Sequence, residues 1–344
     1  NVVNMLKTQD ADIVVWAELN YTGGIPEGNP YDIWEWGGQD ASGYINQQAF
    51  AQVHMPPSLT YTGRGITVAL IDTGVALAHP ALTGHLAAGW DMVDDDAIPN
   101  DEPGGAGWGH GTHIAGIIAH MAPESVILPV RVLNPQGRGN SFVVAYAIEW
   151  AVNQGAQVIN LSLGTDFDSQ ILREAVAWAT ARGVVVVAAA GNRAASTPHY
   201  PAAYPNVVGV TAVDATNRKA SFAGYGAGWV DVAAPGVGIT STIVGDQGYG
   251  YASWSGTSMS TAFVSAAAAL ERQQSPAASA AQVEGSIVAS ADNLDALNPV
   301  YAGQLGGGLL NVSRLLDIPE TTVTPTATPT ATPTPTATST STPT

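Results

Sequence analysis

The sequence predicts an α/β fold in which helices cover both faces of a mostly parallel central sheet. Two observations support this fold class. Short runs rich in valine and isoleucine alternate with helical stretches, and the runs are apolar throughout, as strands buried on both faces are. The predicted strands are residues 66–71, 126–133, 158–163, 184–190 and 207–213.

Helical stretches lie between these strands and end at glycines. Residues 142–153 and 171–182 are predicted helices, and Gly155 and Gly183 follow them. Glycine readily adopts the left-handed conformation that commonly ends a helix. Groups just past strand ends meet at the carboxyl edge of such a sheet, where active sites collect.

Composition excludes several classes of function. The 344 residues contain 11 Lys and Arg against 28 Asp and Glu, a formal net charge of -17. This deficit of cations argues against nucleic-acid binding, which depends on cationic contacts to phosphate. The absence of cysteine excludes a cysteine nucleophile, a thiolate metal site and disulfides. No apolar run approaches the roughly 18 residues that a membrane-spanning helix needs.

Three short strings carry the parts of a nucleophilic hydrolase. A serine hydroxyl is a poor nucleophile until a base takes its proton, and a carboxylate holds that base in the required tautomer. An acid, an imidazole and a hydroxyl, each beside glycine, therefore predict a serine hydrolase. The strings are Ile71-Asp72-Thr73-Gly74, His110-Gly111-Thr112-His113 and Ser255-Gly256-Thr257-Ser258-Met259.

The order acid, histidine, serine resembles that of subtilisin-like serine proteases, and the thermitase-like branch in particular. The resemblance covers residues 29–316 and implies the subtilisin-like three-layer fold. Four further strings carry it: Asn160-Leu161-Ser162-Leu163-Gly164, Ala188-Ala189-Ala190-Gly191-Asn192, Asp231-Val232-Ala233-Ala234-Pro235-Gly236 and Gly308-Leu309-Leu310-Asn311-Val312.

The resemblance implies a role for each catalytic residue. Ser258 is the expected nucleophile, His110 the base and Asp72 the carboxylate that orients it. The side-chain amide of Asn192 and the backbone N–H of Ser258 are expected to stabilise the oxyanion. His113 is expected to be a packed histidine on the helix that His110 opens.

Two segments are expected to hold an extended peptide between them, as an added strand. Arg193 and His199 are expected at the main specificity pocket. With Arg138 they favour an acidic or polar residue just before the scissile bond; the alternative is that these arginines are solvated and have no effect. The cleft segments are Gly137, Arg138, Gly139, Ser162, Leu163 and Gly164.

An acidic loop precedes His110 and resembles a calcium loop of the thermitase-like branch. Dense carboxylates repel one another unless a hard cation or water screens them, and oxygen ligands suit calcium. The resemblance implies a structural Ca²⁺ held by Asp91, Asp94, Asp96 and Asn100. The alternative is a solvated acidic loop.

The two ends of the chain are predicted to lie outside the catalytic domain. Residues 1–28 are predicted to be the C-terminal remnant of an inhibitory pro-segment, cut between Tyr21 and Tyr31; the alternative is an extra strand of the catalytic domain. Residues 29–317 form the predicted catalytic domain. Residues 318–344 are rich in Thr and Pro and are predicted to be a disordered linker.

The leading hypothesis is a secreted, monomeric serine endopeptidase that acts on peptide or protein substrates and is inhibited by its own pro-segment. One departure from the family leaves alternatives open, because Ala262 stands where relatives have proline. These alternatives are a narrow-specificity processing protease or transpeptidase, and a catalytically silent binding module.

Overall fold

A parallel sheet forms the centre of the molecule in a computed structural model that describes residues 17–27 and 35–319. The strands are β1 (Thr22–Gly24), β2 (Glu35–Gly38), β3 (Thr67–Asp72), β4 (Trp90–Asp91), β5 (Val126–Arg131), β6 (Arg138–Asn140), β7 (Val158–Leu161), β8 (Val185–Ala189), β9 (Val207–Val213), β10 (Val232–Pro235), β11 (Ile239–Gly245) and β12 (Gly248–Trp254). The α-helices are α1 (Ser42–Ile45), α2 (Gln48–Gln52), α3 (His110–Met121), α4 (Ser141–Asn153), α5 (Gln170–Ala181), α6 (Thr257–Gln274), α7 (Ala280–Ser290) and α8 (Val312–Leu315).

The central sheet has seven strands in the order β10-β9-β8-β7-β3-β5-β4, and every neighbouring pair is parallel. Parallel pairing requires a crossover between successive strands, and several of these crossovers contain helices. Strand β3 lies inside the sheet with β7 and β5 on its two sides. The sheet therefore presents the end of β3 near the middle of its carboxyl edge.

The two faces of the sheet bury separate hydrophobic clusters. Alternate residues of β3 point to opposite faces: Val68 and Leu70 join one cluster, Ala69 and Ile71 the other. The first cluster contains the apolar residues of α3 and α6, and the second those of α4 and α5. Helices thus cover both faces, and the predicted three-layer α/β fold is confirmed.

The predicted elements match the observed ones closely in the core. Strand β9 has the predicted bounds, α4 begins one residue earlier than predicted, and α5 begins and ends one residue earlier. The sheet formed by β11, β12 and β2 was not predicted. Its strands alternate buried and partly exposed residues, so they lack the continuous apolar run that marks the central strands.

Residues 22–25 lie in a groove of the main domain. Strand β1 pairs antiparallel with β6 in a two-stranded sheet. Residues 1–16 and 28–34, which include most of the predicted pro-segment, and residues 320–344 of the predicted linker lie outside the described residues. Within residues 17–27 and 35–319, none of the helices combines the length and apolarity that crossing a bilayer demands.

Candidate active site

Asp72 and His110 form a buried pair at the carboxyl edge of the sheet. Asp72 is the last residue of β3, and His110 is the first residue of α3. His110 Nδ1 lies 2.7 Å from Asp72 Oδ1, and both side chains are fully buried. The backbone N–H of Thr73 also donates to Asp72 Oδ1, at 2.7 Å. This arrangement fixes the imidazole with Nε2 turned away from Asp72, as a general base requires.

Asp101 holds the start of the helix that carries His110. Its Oδ1 accepts a hydrogen bond from the backbone N–H of Gly109 at 3.0 Å. Its Oδ2 accepts from Thr112 Oγ1 at 2.7 Å and from the N–H of Thr112 at 3.2 Å. The two backbone N–H groups are among the donors that the first turn of a helix cannot satisfy itself. Sequence analysis assigned Asp101 no role of its own.

Ser258 lies on the first turn of α6, and a glutamate stands between it and the imidazole. Ser258 Oγ donates to Glu27 Oε2 at 2.8 Å, and the same oxygen lies 3.2 Å from His110 Nε2. Ser258 Oγ also lies 3.3 Å from the carbonyl oxygen of Ser162. The nucleophile and the base therefore share one neighbour, the Glu27 carboxylate, which is buried with them.

Asn192 presents its side-chain amide to the same place. Asn192 Nδ2 donates to Glu27 Oε1 at 3.2 Å, and the backbone N–H of Ser258 donates to that oxygen at 3.4 Å. Asn192 Oδ1 accepts from Thr257, at 3.0 Å from its backbone nitrogen and 2.9 Å from Oγ1. Thr257 thus orients the amide so that Nδ2 points toward Glu27. Two donors converge on one oxygen, which is the geometry of an oxyanion hole.

The segment of residues 22–25 occupies the groove that sequence analysis assigned to substrate. Gly24 exchanges two backbone hydrogen bonds with Gly164, at 3.0 and 2.9 Å. The backbone N–H of Ile25 donates to the carbonyl of Gly137 at 2.9 Å. A side chain at Gly24 would collide with that same carbonyl, so the close fit requires glycine here. The segment forms the middle strand between the two walls of the cleft.

Three residues anchor the chain before this segment. Glu18 accepts hydrogen bonds from the backbone of Gln170 at 2.8 Å and of Ile171 at 3.0 Å, at the start of α5. A carboxylate at this position also suits the positive end of the helix dipole. Tyr21 stacks on Phe167 with ring centroids 5.1 Å apart. In the third contact, Asn20 Oδ1 accepts a hydrogen bond at the start of α4.

The two histidines of α3 have opposite electrostatic environments. Burial by itself would lower the pKa of His110, but the carboxylates of Asp72 and Glu27 outweigh burial and raise it to about 10. Burial lowers the pKa of His113 to about 3. His113 Nε2 lies 3.1 Å from the carbonyl oxygens of both Ile239 and Ala252. His113 is a packed histidine.

The predicted specificity residues border an open cleft of about 770 Å³. Arg193 forms an ion pair with Asp166, and His199 Nδ1 lies 3.1 Å from the other oxygen of that carboxylate. Burial, with Arg193 nearby, lowers the pKa of His199 to about 4, so this imidazole is neutral at pH 7. Asp166 therefore cancels the charge of Arg193, while Arg138 also borders the cleft. Sequence reasoning did not single out Asp166, which lies two residues after Gly164.

The acidic loop is closed by an arginine. Arg131 is buried, and its Nη1 lies 2.6 Å from Asp91 Oδ2 and 2.6 Å from Asp94 Oδ2. The oxygens Asp91 Oδ1 and Asp96 Oδ1 accept backbone hydrogen bonds within the loop. In the part of the chain that the structure describes, no three acidic or histidine side chains converge as metal ligands do. The side chains as placed do not form a calcium cage, and calcium binding stays a prediction.

Ala262 lies inside α6, which runs without interruption from Thr257 to Gln274. Its side chain is fully buried against the central sheet. The alanine therefore leaves a regular helix behind the nucleophile. Whether it alters the fate of an acyl-enzyme stays a prediction.

Known proteins resemble this chain over most of its length. Residues 63–308 match a family model described as the subtilase family. The chain is 43% identical over 250 residues to thermitase of Thermoactinomyces vulgaris, covering 70% of this chain and 86% of that protein. It is 42% identical over 290 residues to a thermophilic serine proteinase of Bacillus sp. (strain AK1), covering 79% of this chain and 69% of that protein.

Solved structures show the same likeness. A protease from Pseudoalteromonas arctica superimposes with a TM-score of 0.72 at 27% identity, over 81% of this chain and 97% of that one. Fervidolysin from Fervidobacterium pennivorans, a keratinolytic enzyme, gives a TM-score of 0.72 at 28% identity, over 89% of this chain and 52% of that one. The chain belongs to the subtilase family, whose members are serine endopeptidases.

Proposed function

We propose that this protein is a secreted serine endopeptidase that cleaves peptide bonds through an acyl-enzyme on Ser258. The observation that carries the proposal is the convergence of Ser258 Oγ, His110 Nε2 and Asn192 Nδ2 on one small carboxylate. That carboxylate marks the place where a substrate carbonyl would be attacked. The acidic composition and the Thr- and Pro-rich tail are in keeping with an extracellular protein.

Each group would act once the carboxylate of Glu27 has left. His110 Nε2 takes the proton of Ser258 Oγ as that oxygen attacks the carbonyl carbon, and Asp72 stabilises the imidazolium that forms. The amide of Asn192 and the N–H of Ser258 stabilise the negative oxygen of the tetrahedral intermediate. His110 then returns the proton to the leaving amine, and water releases the acyl group.

Reaction with a fluorophosphonate tests the hydrolase assignment, in the intact chain and after removal of the segment before Glu35. We expect labelling of Ser258 and peptide hydrolysis, both abolished in Ser258→Ala. A chain that folds but never labels, with or without that segment, would instead be a binding module. Removing the amide with Asn192→Ala should lower turnover by about 10²–10³, the size measured for the same group in subtilisin.

We also propose that residues before about Tyr31 are an inhibitory pro-segment that the enzyme removes. The antiparallel pairing of β1 with β6 and the contacts of Glu18 with α5 support this role. Mass spectrometry of the chain and of Ser258→Ala should show a cut between Tyr21 and Tyr31 only when Ser258 is present. The same cut in both chains would mean that another protease makes it.

We propose that Asp166 controls how strongly the cleft attracts an acidic residue just before the scissile bond. In the intact chain, the ion pair of Arg193 with Asp166 weakens the attraction of Arg193 for an acidic substrate residue. We expect Asp166→Asn to increase cleavage after Glu and Asp relative to the parent in a peptide-library profile. An unchanged profile would mean that the arginines at the cleft have no effect.

Calcium binding at the acidic loop remains a separate proposal, supported only by the carboxylates of Asp91, Asp94 and Asp96 and the side-chain amide oxygen of Asn100. Thermal unfolding of Ser258→Ala, with calcium and with a chelator, tests it without autolysis. A rise in Tm with calcium that Asp96→Asn removes would support a site. Equal Tm values would leave Arg131 as the partner of this loop.

A further inference from the structure

The Glu27 carboxylate occupies the place that the family mechanism reserves for a reacting carbonyl. Oε1 accepts from Asn192 Nδ2 and from the N–H of Ser258, as an oxyanion would. Oε2 accepts from Ser258 Oγ, 2.8 Å away. A carboxylate carries the negative charge that this site is built to stabilise in the transition state.

The backbone next to Glu27 is not held as a substrate is. The pairing of Gly24 with Gly164 and of Ile25 with Gly137 places residue 26 beside Ser162. Residue 26 is proline, which has no N–H to continue the pairing. The carbonyl oxygen of Ser162 is approached instead by Ser258 Oγ, at 3.3 Å. The segment is therefore bound as a strand up to Ile25, and beyond that point by a side chain.

We propose that Glu27 is a built-in carboxylate inhibitor: while its side chain fills the oxyanion hole, the segment of residues 21–27 is bound as an inhibitor and not as a substrate. Cleavage of the pro-segment then requires that this side chain first leave the site. This inference rests on the proposed protease function. It deepens that function by assigning the inhibitory contact to one carboxylate.

The charge of Glu27 also acts on the base. Burial lowers the pKa of His110, but Asp72 and, to a smaller extent, Glu27 raise it well above neutral, so the imidazole is protonated at pH 7. A protonated imidazole cannot take the proton of Ser258. Glu27 thus fills the site of the oxyanion and adds to the negative charge that keeps the base protonated.

The first test compares full-length chains whose intact mass is confirmed before the assay. The rate at which a fluorophosphonate labels Ser258 is measured for the parent, Glu27→Gln, Glu27→Asp and Glu35→Gln. Loss of charge at Glu27 should speed labelling by about 10- to 100-fold, the range expected when a hydrogen-bonded charge is lost. Glu27→Asp should also label faster, because its shorter side chain does not reach both donors. The exposed Glu35 is the control, and its variant should label at the parental rate.

The second test avoids any effect of the substitution on folding. Peptides spanning residues 20–28, with Glu or Gln at position 27, are added to Glu27→Ala, and labelling and peptide cleavage are followed. The Glu peptide should inhibit labelling about 10- to 100-fold more strongly than the Gln peptide and should stay intact longer. Equal inhibition by both peptides, or equal labelling of the parent and Glu27→Gln, would overturn the proposal. Absence of labelling in every chain, even with no segment or peptide bound, would overturn the protease function instead.

Discussion

Two histidines lie one turn apart on α3, and the regions around them differ in a single kind of partner. Both side chains are fully buried, and both rings pack edge-on against Trp254, at centroid distances of 5.6 Å for His110 and 5.9 Å for His113. His110 faces the carboxylates of Asp72 and Glu27. His113 faces backbone carbonyls, which carry no net charge.

Burial alone therefore does not decide the pKa of a histidine in this protein. Desolvation acts on both rings in the same direction, since it always disfavours the charged form. The carboxylate partners raise the pKa of His110, so that ring holds a proton at neutral pH. The pKa of His113 falls, so its ring is neutral there. One helix thus carries a histidine beside carboxylates and a histidine beside backbone carbonyls, with the same aromatic packing.

Substituting the two histidines in turn should lower turnover by very different amounts. His110→Gln should lower turnover by about 10⁶, the size measured for the corresponding histidine in subtilisin. His113→Gln should stay within about tenfold of the parent, because its side chain can still donate to the same carbonyls and touches no reacting atom. Steady-state hydrolysis of a short peptide after pro-segment removal measures both. Comparable losses in the two variants would contradict the division of roles.

Removing the carboxylate of Asp72, which His113 has no counterpart for, should have the next largest effect on turnover. Asp72→Asn should lower turnover by about 10⁴, as in other serine proteases, because an amide favours the wrong tautomer of His110. The Tm of the same substitution in the Ser258→Ala chain shows whether the fold survives. A variant that keeps its Tm and most of its turnover would show that Asp72 does not set the state of His110.

The sequence predicted the fold, and it singled out the acid, imidazole and hydroxyl that the fold brings to one site, because local patterns mark them. Apolar strands mark the sheet, and Asp72, His110 and Ser258 stand in strings whose order carries information. The sequence did not predict Glu27, since nothing in Ile25-Pro26-Glu27 indicates that its side chain reaches a serine 231 positions further on. Asp166 and Arg131 were missed for the same reason, because their roles depend on partners that only the folded chain brings together.

A smaller effect concerns acid stability. The pKa of His113 lies near 6.5 in the unfolded chain and falls to about 3 on folding. The unfolded state therefore binds more protons between these values, and stability is lost as pH falls through this window. The loss is about 1.4 kcal/mol in the free energy of unfolding for each pH unit. Denaturant unfolding of Ser258→Ala between pH 4 and 8, with and without His113→Gln, measures it.

The variant is expected to be less stable at pH 7 but to lose less stability on acidification. The difference between the two curves is the informative quantity, because other groups titrate equally in both chains. Parallel curves would mean that His113 keeps its unfolded-state pKa in the fold, and its contrast with His110 would then disappear.

The smallest effect concerns the ring that both histidines share. Trp254→Phe keeps an aromatic face against each imidazole but removes part of a nearly fully buried side chain. We expect a loss of about 1–2 kcal/mol in the free energy of unfolding and a change in turnover below about tenfold. Thermal unfolding in the Ser258→Ala chain and peptide hydrolysis in the active chain measure these separately. A turnover loss as large as that of Asp72→Asn would mean that packing on Trp254, and not the carboxylate, makes His110 the catalytic histidine.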